Sequence, residues 1–358
     1  MRALLIVDRL FAQHERAMLG RISIGLLDEG IETRLIVPDL GEAQTANLGP
    51  LVPQINYKDK GLSFTLKIRA ANIIRKLTAD RSLDQWDIIH AYGGQSWALA
   101  YELAKTLNSA LVIEIWRAGL IPRAIQFQKH STVECMFTAP DRSIEKAATA
   151  ADARLPIQVT PWGVPVPASP RSILKPNKNI SIVLQSSGRD RVGCTAAFDG
   201  VLDAIAGNEN IHLFVNLHAA RRSGLWARAK KANALSQLTL IDKIEEQRDL
   251  ALNADFLVYP DTIHEQRSLL YEAMGNAMCV IASTTKQSSC LIENQTAAIV
   301  HQASRTQWAS TLNDLIADPD KARTLSVNAW SHIRDHRKVS THIGATIDTY
   351  TQLIPVPS

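Results

Sequence analysis

Arg189 stands directly after Gly188, a few residues beyond the apolar run Ile180–Leu184, and Arg191 follows two positions on. Lys286 stands in the same relation to a second apolar run, Cys279–Ala282. Basic side chains in a loop at the end of a strand can meet phosphate charge, arginine as a fork and lysine as a point charge. The plain alternative is a solvated basic loop. Glu272 opens the run Glu272-Ala273-Met274, and the pair His264-Glu265 lies upstream of it. A carboxylate can accept two hydrogen bonds from a vicinal diol, and a neutral imidazole can accept or donate one. Glu272 also reads as a first-turn glutamate favoured by the helix dipole. His90, in His90-Ala91-Tyr92-Gly93-Gly94, ends an apolar run, where sites of α/β proteins lie, although a lone strand-end histidine is also commonly a core residue.

The elements that must position these residues follow from periodicity. Residues 4–7 form a short apolar run, residues 15–29 carry a helical pattern ended by Gly30, and residues 33–38 form a second strand. Continuous apolar strands alternating with amphipathic helices make β-α-β units with parallel, two-sided burial. The rhythm continues with strand 87–90, helix 97–107, strand 110–115, strand 133–137 and helix 141–150. Pro161, Pro165, Pro167 and Pro170 then interrupt it, and such spacing continues neither a helix nor a central strand. It restarts with strand 180–184, helix 195–206, strand 211–217, basic helix 225–235, strand 238–241, helix 245–252, strand 254–260, helix 268–276 and strand 279–282. Helices fill 305–353. Two successive α/β domains follow: 1–160, a proline-rich linker 161–176, 177–335, and a closing helix and tail over 336–358.

Composition narrows the classes. The chain has 358 residues, 46% hydrophobic and 21% charged, an ordinary globular balance, with a net charge of +4. That mild excess suits phosphate-bearing ligands or an anionic surface. The basic residues are spread along the chain without an aromatic stacking platform, so nucleic acid is not expected. Cys135, Cys194, Cys279 and Cys290 show neither a Cys-x-x-Cys pair nor zinc spacing, and read as buried free thiols of a reducing compartment. No carboxylate pair sits at a strand end of the second half. No metal or other cofactor is expected. The N-terminal apolar run stops at Asp8, too short for a signal peptide, and no stretch approaches ~20 apolar residues. A cytoplasmic protein is expected, at most peripheral to the inner face of a membrane.

The second half resembles the retaining family 4 glycosyltransferases of the GT-B fold. The residues that carry the resemblance are Ala-Asp-Phe-Leu-Val-Tyr-Pro at 254–260, Glu272-Ala273-Met274-Gly275-Asn276-Ala277, and Cys279-Val280-Ile281-Ala282-Ser283. The junction at 160–164 and the ending with Trp330, His332 and Tyr350 also resemble that family. The resemblance implies two Rossmann-like domains facing a central cleft, with C-terminal helices crossing back to the first domain. It implies transfer of a sugar from a nucleotide-sugar to an acceptor hydroxyl of a glycan or lipid-linked glycan. The donor belongs to the second domain. The acceptor belongs to the first, near residues 11–16, 92–95 and Trp116-Arg117. Glu272 matches the family's ribose partner. The family has another glutamate eight positions earlier; His264 stands there, and either it or neighbouring Glu265 takes that role. Arg189 matches the arginine that meets the diphosphate.

Several positions depart from the family. Its usual lysine five residues after Arg189 is Cys194, for which Arg191 can substitute. Its His-x-His reads His90-Ala91-Tyr92, leaving His90 or Tyr92 to line the sugar site. The glycine pair after strand one is replaced by the 11–16 run, the later pair by Lys286-Gln287, and a nearby glutamate by Cys290. Lys286 can supply an ionic phosphate contact instead of a backbone one. So many departures raise a second reading, a non-catalytic GT-B protein that binds a partner transferase or a glycan. Finally, residues 57–81 interleave Lys58, Lys60, Lys67, Arg69, Arg75, Lys76 and Arg81 with apolar residues. This is a basic amphipathic pattern that can lie on an anionic membrane or simply snorkel from a packed helix.

Overall fold

The computed structural model describes residues 1–39, 52–59, 65–78, 85–242, 248–284, 286, 288–301 and 304–354. The chain divides into two compact units, Met1–Gly163 with Val339–Ser358, and Val164–Lys338.

Among the described residues the first unit holds seven parallel strands: β1 (Arg2–Val7), β2 (Glu32–Pro38), β3 (Gln54–Tyr57), β4 (Ile88–Tyr92), β5 (Ala110–Glu114), β6 (Cys135–Ala139) and β7 (Ile157–Val159). Their order is β3-β2-β1-β4-β5-β6-β7. The reversal falls between β1 and β4, the arrangement of a Rossmann fold. The central strands are buried along nearly their whole length, because helices cover both faces and the chain supplies unbroken aliphatic runs. These helices are α1 (Arg9–His14), α2 (Arg16–Asp28), α3 (Leu66–Thr78), α4 (Trp97–Leu107), α5 (Ile121–His130) and α6 (Arg142–Ala151). The predicted helix 15–29 ends where expected: Gly30 takes φ +76°, a conformation a side chain resists. The edge strands β3 and β7 and helix α5 have no counterpart in the expected list. Edge strands are short and half-exposed, and α5 carries proline in its first turn, where proline starts a helix.

The second unit repeats the plan with β8 (Ile180–Leu184), β9 (Ile211–Asn216), β10 (Leu238–Ile241), β11 (Phe256–Tyr259), β12 (Cys279–Ala282) and β13 (Ala298–Ile299). All are parallel, in the order β10-β9-β8-β11-β12-β13, so the reversal falls between β8 and β11. The helices are α7 (Arg191–Ile205), α8 (Leu217–Ser223), α9 (Leu225–Lys231), α10 (Arg248–Leu252), α11 (Ser268–Gly275), α12 (Arg305–Ala317) and α13 (Pro319–His336). Helix α7 starts a turn earlier than its apolar pattern suggests, because Asp190 caps it by accepting from Gly193 N at 2.9 Å. The expected helix 245–252 is seen as α10; residues 243–247 lie outside the described residues.

The proline-rich stretch packs onto the second unit. Val164 N donates to Arg337 O at 2.9 Å, Trp330 Nε1 donates to Pro167 O at 3.0 Å, and Ile173 and Leu174 join the core. After α13 the chain returns to the first unit as α14 (Val339–Leu353), where Ile343 fills the space above Gly25 and Tyr350 is fully buried. All four cysteines are free and buried. Among the described residues no helix is long and apolar enough to cross a membrane.

Candidate functional site

In an open parallel sheet, the loops that leave the strands on either side of the reversal diverge and leave a crevice at their carboxyl ends. In the second unit those loops are 185–190, after β8, and 260–267, after β11. The first turns tightly. Gly188 takes φ +67°, and a Cβ there would lie 3.0 Å from Ala219 Cα and 3.1 Å from Arg222 Cβ. The two loops are stitched together by carboxylates. Asp261 accepts from Ser187 N at 2.9 Å and from Ser186 Oγ. Burial raises the Asp261 pKa, and those hydrogen bonds oppose the rise. Asp190, besides capping α7, accepts from Thr262 N at 3.1 Å and Thr262 Oγ1 at 2.7 Å.

This stitching brings two of the predicted residues into contact. Arg189 donates to Glu265 Oε2 at 2.6 Å across 76 positions of sequence. Arg267 donates to the other oxygen of the same carboxylate. Glu265 is buried, Arg267 nearly so, and Arg189 is a quarter exposed, so the pair of guanidiniums closes over the carboxylate with Arg189 outermost. Tyr259, the last residue of β11, donates to Glu265 O at 2.8 Å and holds the loop from beneath. Next to Glu265, His264 adopts φ +48°, a left-handed conformation uncommon outside glycine and held only where surroundings impose it. Partial burial and the charge of Lys286 lower its pKa, which keeps the imidazole neutral near pH 7. Lys286 itself is exposed.

Glu272 and Arg191 sit apart from that cluster. Glu272 falls in the second turn of α11 and is buried, where Arg248 Nε donates to Oε2 and Arg248 Nη2 donates to Ser268 Oγ at 2.7 Å. Burial of both partners explains the pairing, since either charge alone in that position would be costly. Arg191 is the exposed first residue of α7, and among the described residues its side chain makes no hydrogen bond or ion pair. Arg248, Arg267, Asp190 and Asp261 were not singled out from sequence. The one local signal was the polar run Glu265-Gln266-Arg267 between a strand and a helix.

The corresponding place in the first unit is filled by aromatic rings. Phe11, fully buried in α1, stands 5.3 Å from Tyr92 and 5.8 Å from both Trp116 and Trp162, centroid to centroid. Asp8 caps α1 through Phe11 N at 2.8 Å and accepts from Gln95 N at 3.0 Å. Gly93, at φ +84°, lets the β4 loop pass so close that a Cβ would lie 2.2 Å from the Asp8 carboxyl carbon. His90 and Tyr92 are both buried. His90 Nδ1 lies 2.8 Å from Tyr350 Oη and 3.2 Å from Tyr92 Oη, and burial lowers its pKa to about 3. Beside this plug, Asp8, Arg9, Tyr57, Asp59, Arg69 and Gln95 line a pocket of about 300 Å³ in the first unit. Arg9 donates to Asp59 there at 2.6 Å.

The basic pattern of 57–81 is seen in part as α3. Ala70, Ile73 and Leu77 are buried, while Lys67, Ile68, Arg75 and Lys76 are exposed. Lys60 and Arg81 lie outside the described residues. Among the described residues no group of three or more His, Cys, Asp and Glu side chains is placed to hold a metal ion.

The two reversals and the all-parallel sheets define the GT-B fold, two Rossmann-like units in one chain. No family model matches the chain, and no curated protein matches it. Solved structures do. A sucrose-phosphate synthase from Thermosynechococcus elongatus superposes with a TM-score of 0.75 at 14% identity, covering 99% of both chains. Anabaena Alr3699/HepE, in complex with UDP-glucose, gives 0.75 at 12% identity over 98% of this chain and 100% of that one. A glycosyltransferase from Rickettsia africae ESF-5 gives 0.72 at 12% identity over 98% of both. At such identities the likeness is one of fold.

Proposed function

We propose that the chain is a glycosyltransferase that moves a sugar from a nucleotide-sugar donor to an acceptor hydroxyl of a glycan or lipid-linked glycan, with retention at the transferred carbon. The observation that carries this reading is the gathering of Arg189, Arg267, Glu265, Asp261 and His264 at the strand reversal of the second unit. The Anabaena structure holds UDP-glucose on the same fold. Folds of this kind host unrelated chemistries, so the reaction is argued from the site.

The donor's diphosphate is met by arginine. A guanidinium has five N–H donors, and the Glu265 carboxylate takes one from Arg189, the more exposed of the two arginines. The carboxylate keeps both forks aimed before a ligand arrives, which lowers the ordering cost of binding. Lys286 and Arg191 add charge from the rim, and neutral His264 offers a hydrogen bond to a sugar hydroxyl. Glu272, held by Arg248, serves the ribose diol. His90 and Tyr92 act from the interior of the first unit by fixing the end of β4. Retaining transfer rests on positioning and on stabilising the departing diphosphate, and these side chains supply both without a metal or other cofactor. The acceptor belongs to the first unit, whose helix α3 presents Lys67, Arg75 and Lys76 on its exposed side.

A specific observation also favours the non-catalytic reading. Arg189 and Glu272 are each engaged by an internal ion pair, and the crevice of the first unit is filled by Phe11, Tyr92, Trp116 and Trp162. Thermal unfolding against UDP, GDP, ADP and their sugar conjugates separates the two. A ligand at a hundred times its dissociation constant adds roughly 2.7 kcal/mol, a shift of a few degrees. A shift with one nucleotide that is lost in Arg189→Ala supports the transferase. No shift with any of them sinks it and leaves the non-catalytic protein.

A further inference from the structure

From residue 210 to residue 241 the chain carries Arg221, Arg222, Arg228, Lys230 and Lys231 and no aspartate or glutamate. Of 39 basic and 35 acidic residues in all, these five leave 34 against 35 for the remainder. The positive excess of the whole protein therefore resides in this one stretch. In the second unit it forms β9, the helix pair α8 and α9, and β10. Ala219 and Ala220 of α8, and Leu225 and Ala229 of α9, are buried in the core. That packing turns His218, Arg221 and Arg222 of α8 outward, along with Trp226, Ala227, Lys230 and Lys231 of α9. Trp226 and Lys230 are four residues apart and so share one face. Arg228 is drawn aside to Asp199 at 2.5 Å, and Arg222 donates to Ser187 O at 3.1 Å. Among the described residues Arg221, Lys230 and Lys231 have no carboxylate partner.

Trp226 is the second observation. The protein has seven tryptophans, and the other six are at most 7% exposed, whereas Trp226 is 50% exposed. An indole left half in water beside unpaired lysines is poorly placed for a core and well placed for a membrane interface. There the ring sits among headgroups and the N–H keeps a polar partner. Basic side chains around it gain from anionic headgroups, each by roughly a five-fold change in partition.

We infer that the outer face of α8 and α9, centred on Trp226, Lys230 and Lys231, docks on an anionic phospholipid surface. The occupant is a membrane rather than a soluble polyanion, because a polyanion needs the charges and has no use for a single exposed indole at the start of α9. The inference stands apart from the nucleotide-sugar reading and from α3, which belongs to the other unit.

The test is co-sedimentation of the full chain with vesicles of phosphatidylcholine alone and of phosphatidylcholine with phosphatidylglycerol. Binding to the anionic vesicles only, weakening as salt rises, is expected. Lys230→Glu/Lys231→Glu should weaken it at least ten-fold, and Trp226→Ala several-fold, with unfolding temperatures unchanged. Brominated lipid should quench the wild-type emission and fail to quench Trp226→Phe, a readout that does not depend on a charge-reversed variant folding. Three results overturn the inference. One is no binding to anionic vesicles. Another is binding abolished by Lys67→Glu/Arg75→Glu in α3 and kept by the α9 variant. The last is polyphosphate binding as tight as vesicle binding, with Trp226→Ala without effect on either.

Discussion

Glu114, the last residue of β5, is fully buried, and its Oε2 accepts from Trp162 Nε1 at 2.8 Å while Oε1 has no hydrogen-bond partner among the described residues. Burial raises its pKa from 4.5 to about 8, with the Trp162 bond lowering it and nearby Glu15 raising it. The folded protein thus holds a proton that the unfolded chain releases above pH 4.5. A raised folded-state pKa means stability that is full below pH 4.5 and is lost as pH climbs through about 8. The slope is at most roughly 1.4 kcal/mol per pH unit, about 5 kcal/mol over the whole window. Against a typical domain stability of about 5–15 kcal/mol this is a large effect. Glu114→Gln keeps the shape and the bond from Trp162 and removes the titration. Urea unfolding of both proteins at pH 5.5, 6.5 and 7.5 isolates the effect. His90, whose pKa is lowered to about 3, destabilises both as pH falls below 6.5 and cancels in the difference. The variant should gain on the wild type steadily as pH rises. A difference that stays constant from pH 5.5 to 7.5 would refute the protonated, buried carboxyl.

Other outcomes follow from single contacts. Gly93→Ala combines a left-handed backbone with a Cβ driven into Asp8, and should cost about 2–4 kcal/mol, read as a lowered unfolding temperature. Glu265→Ala removes the carboxylate that buried Arg267 donates to and should cost about 3–5 kcal/mol in urea unfolding. Arg189→Ala leaves Glu265 paired with Arg267 and should cost less than half as much; equal losses would mean that Arg189 is the structural partner. Gly200→Ala, whose Cβ would meet Arg305 O and Trp308 Cβ at 2.5 Å, should loosen α7 from α12 and lower the unfolding temperature of the second unit.

Much of the fold was legible because its signals are local. Strands β8, β10 and β12 and helix α4 appear at their expected bounds, since a run of aliphatic residues or a 3.6-residue period is complete within the segment itself. Strands β3 and β7 escaped notice because they are short and broken by polar residues, Gln54 and Asn56 in one and Gln158 in the other. The early start of α7 escaped because a capping aspartate is recognised only once its helix is placed. Gly30 could be read as punctuation, whereas the demand on Gly93 could not. It arises from Asp8, 85 residues earlier, brought alongside by the pairing of β1 with β4.

The site divides in the same way. Sequence determined that arginine, glutamate and histidine would stand in loops at strand ends, because residue type and the strand-to-helix change are properties of a few consecutive positions. Which of them touch was decided by tertiary structure. Arg189 meets Glu265 because strands β8 and β11 lie side by side, and Glu272 meets Arg248 because α11 carries its glutamate on a buried face. The packing of α8 and α9 left Trp226 outside while six other tryptophans went in. Side-chain chemistry is written residue by residue, but burial and partnership depend on residues far apart in the chain.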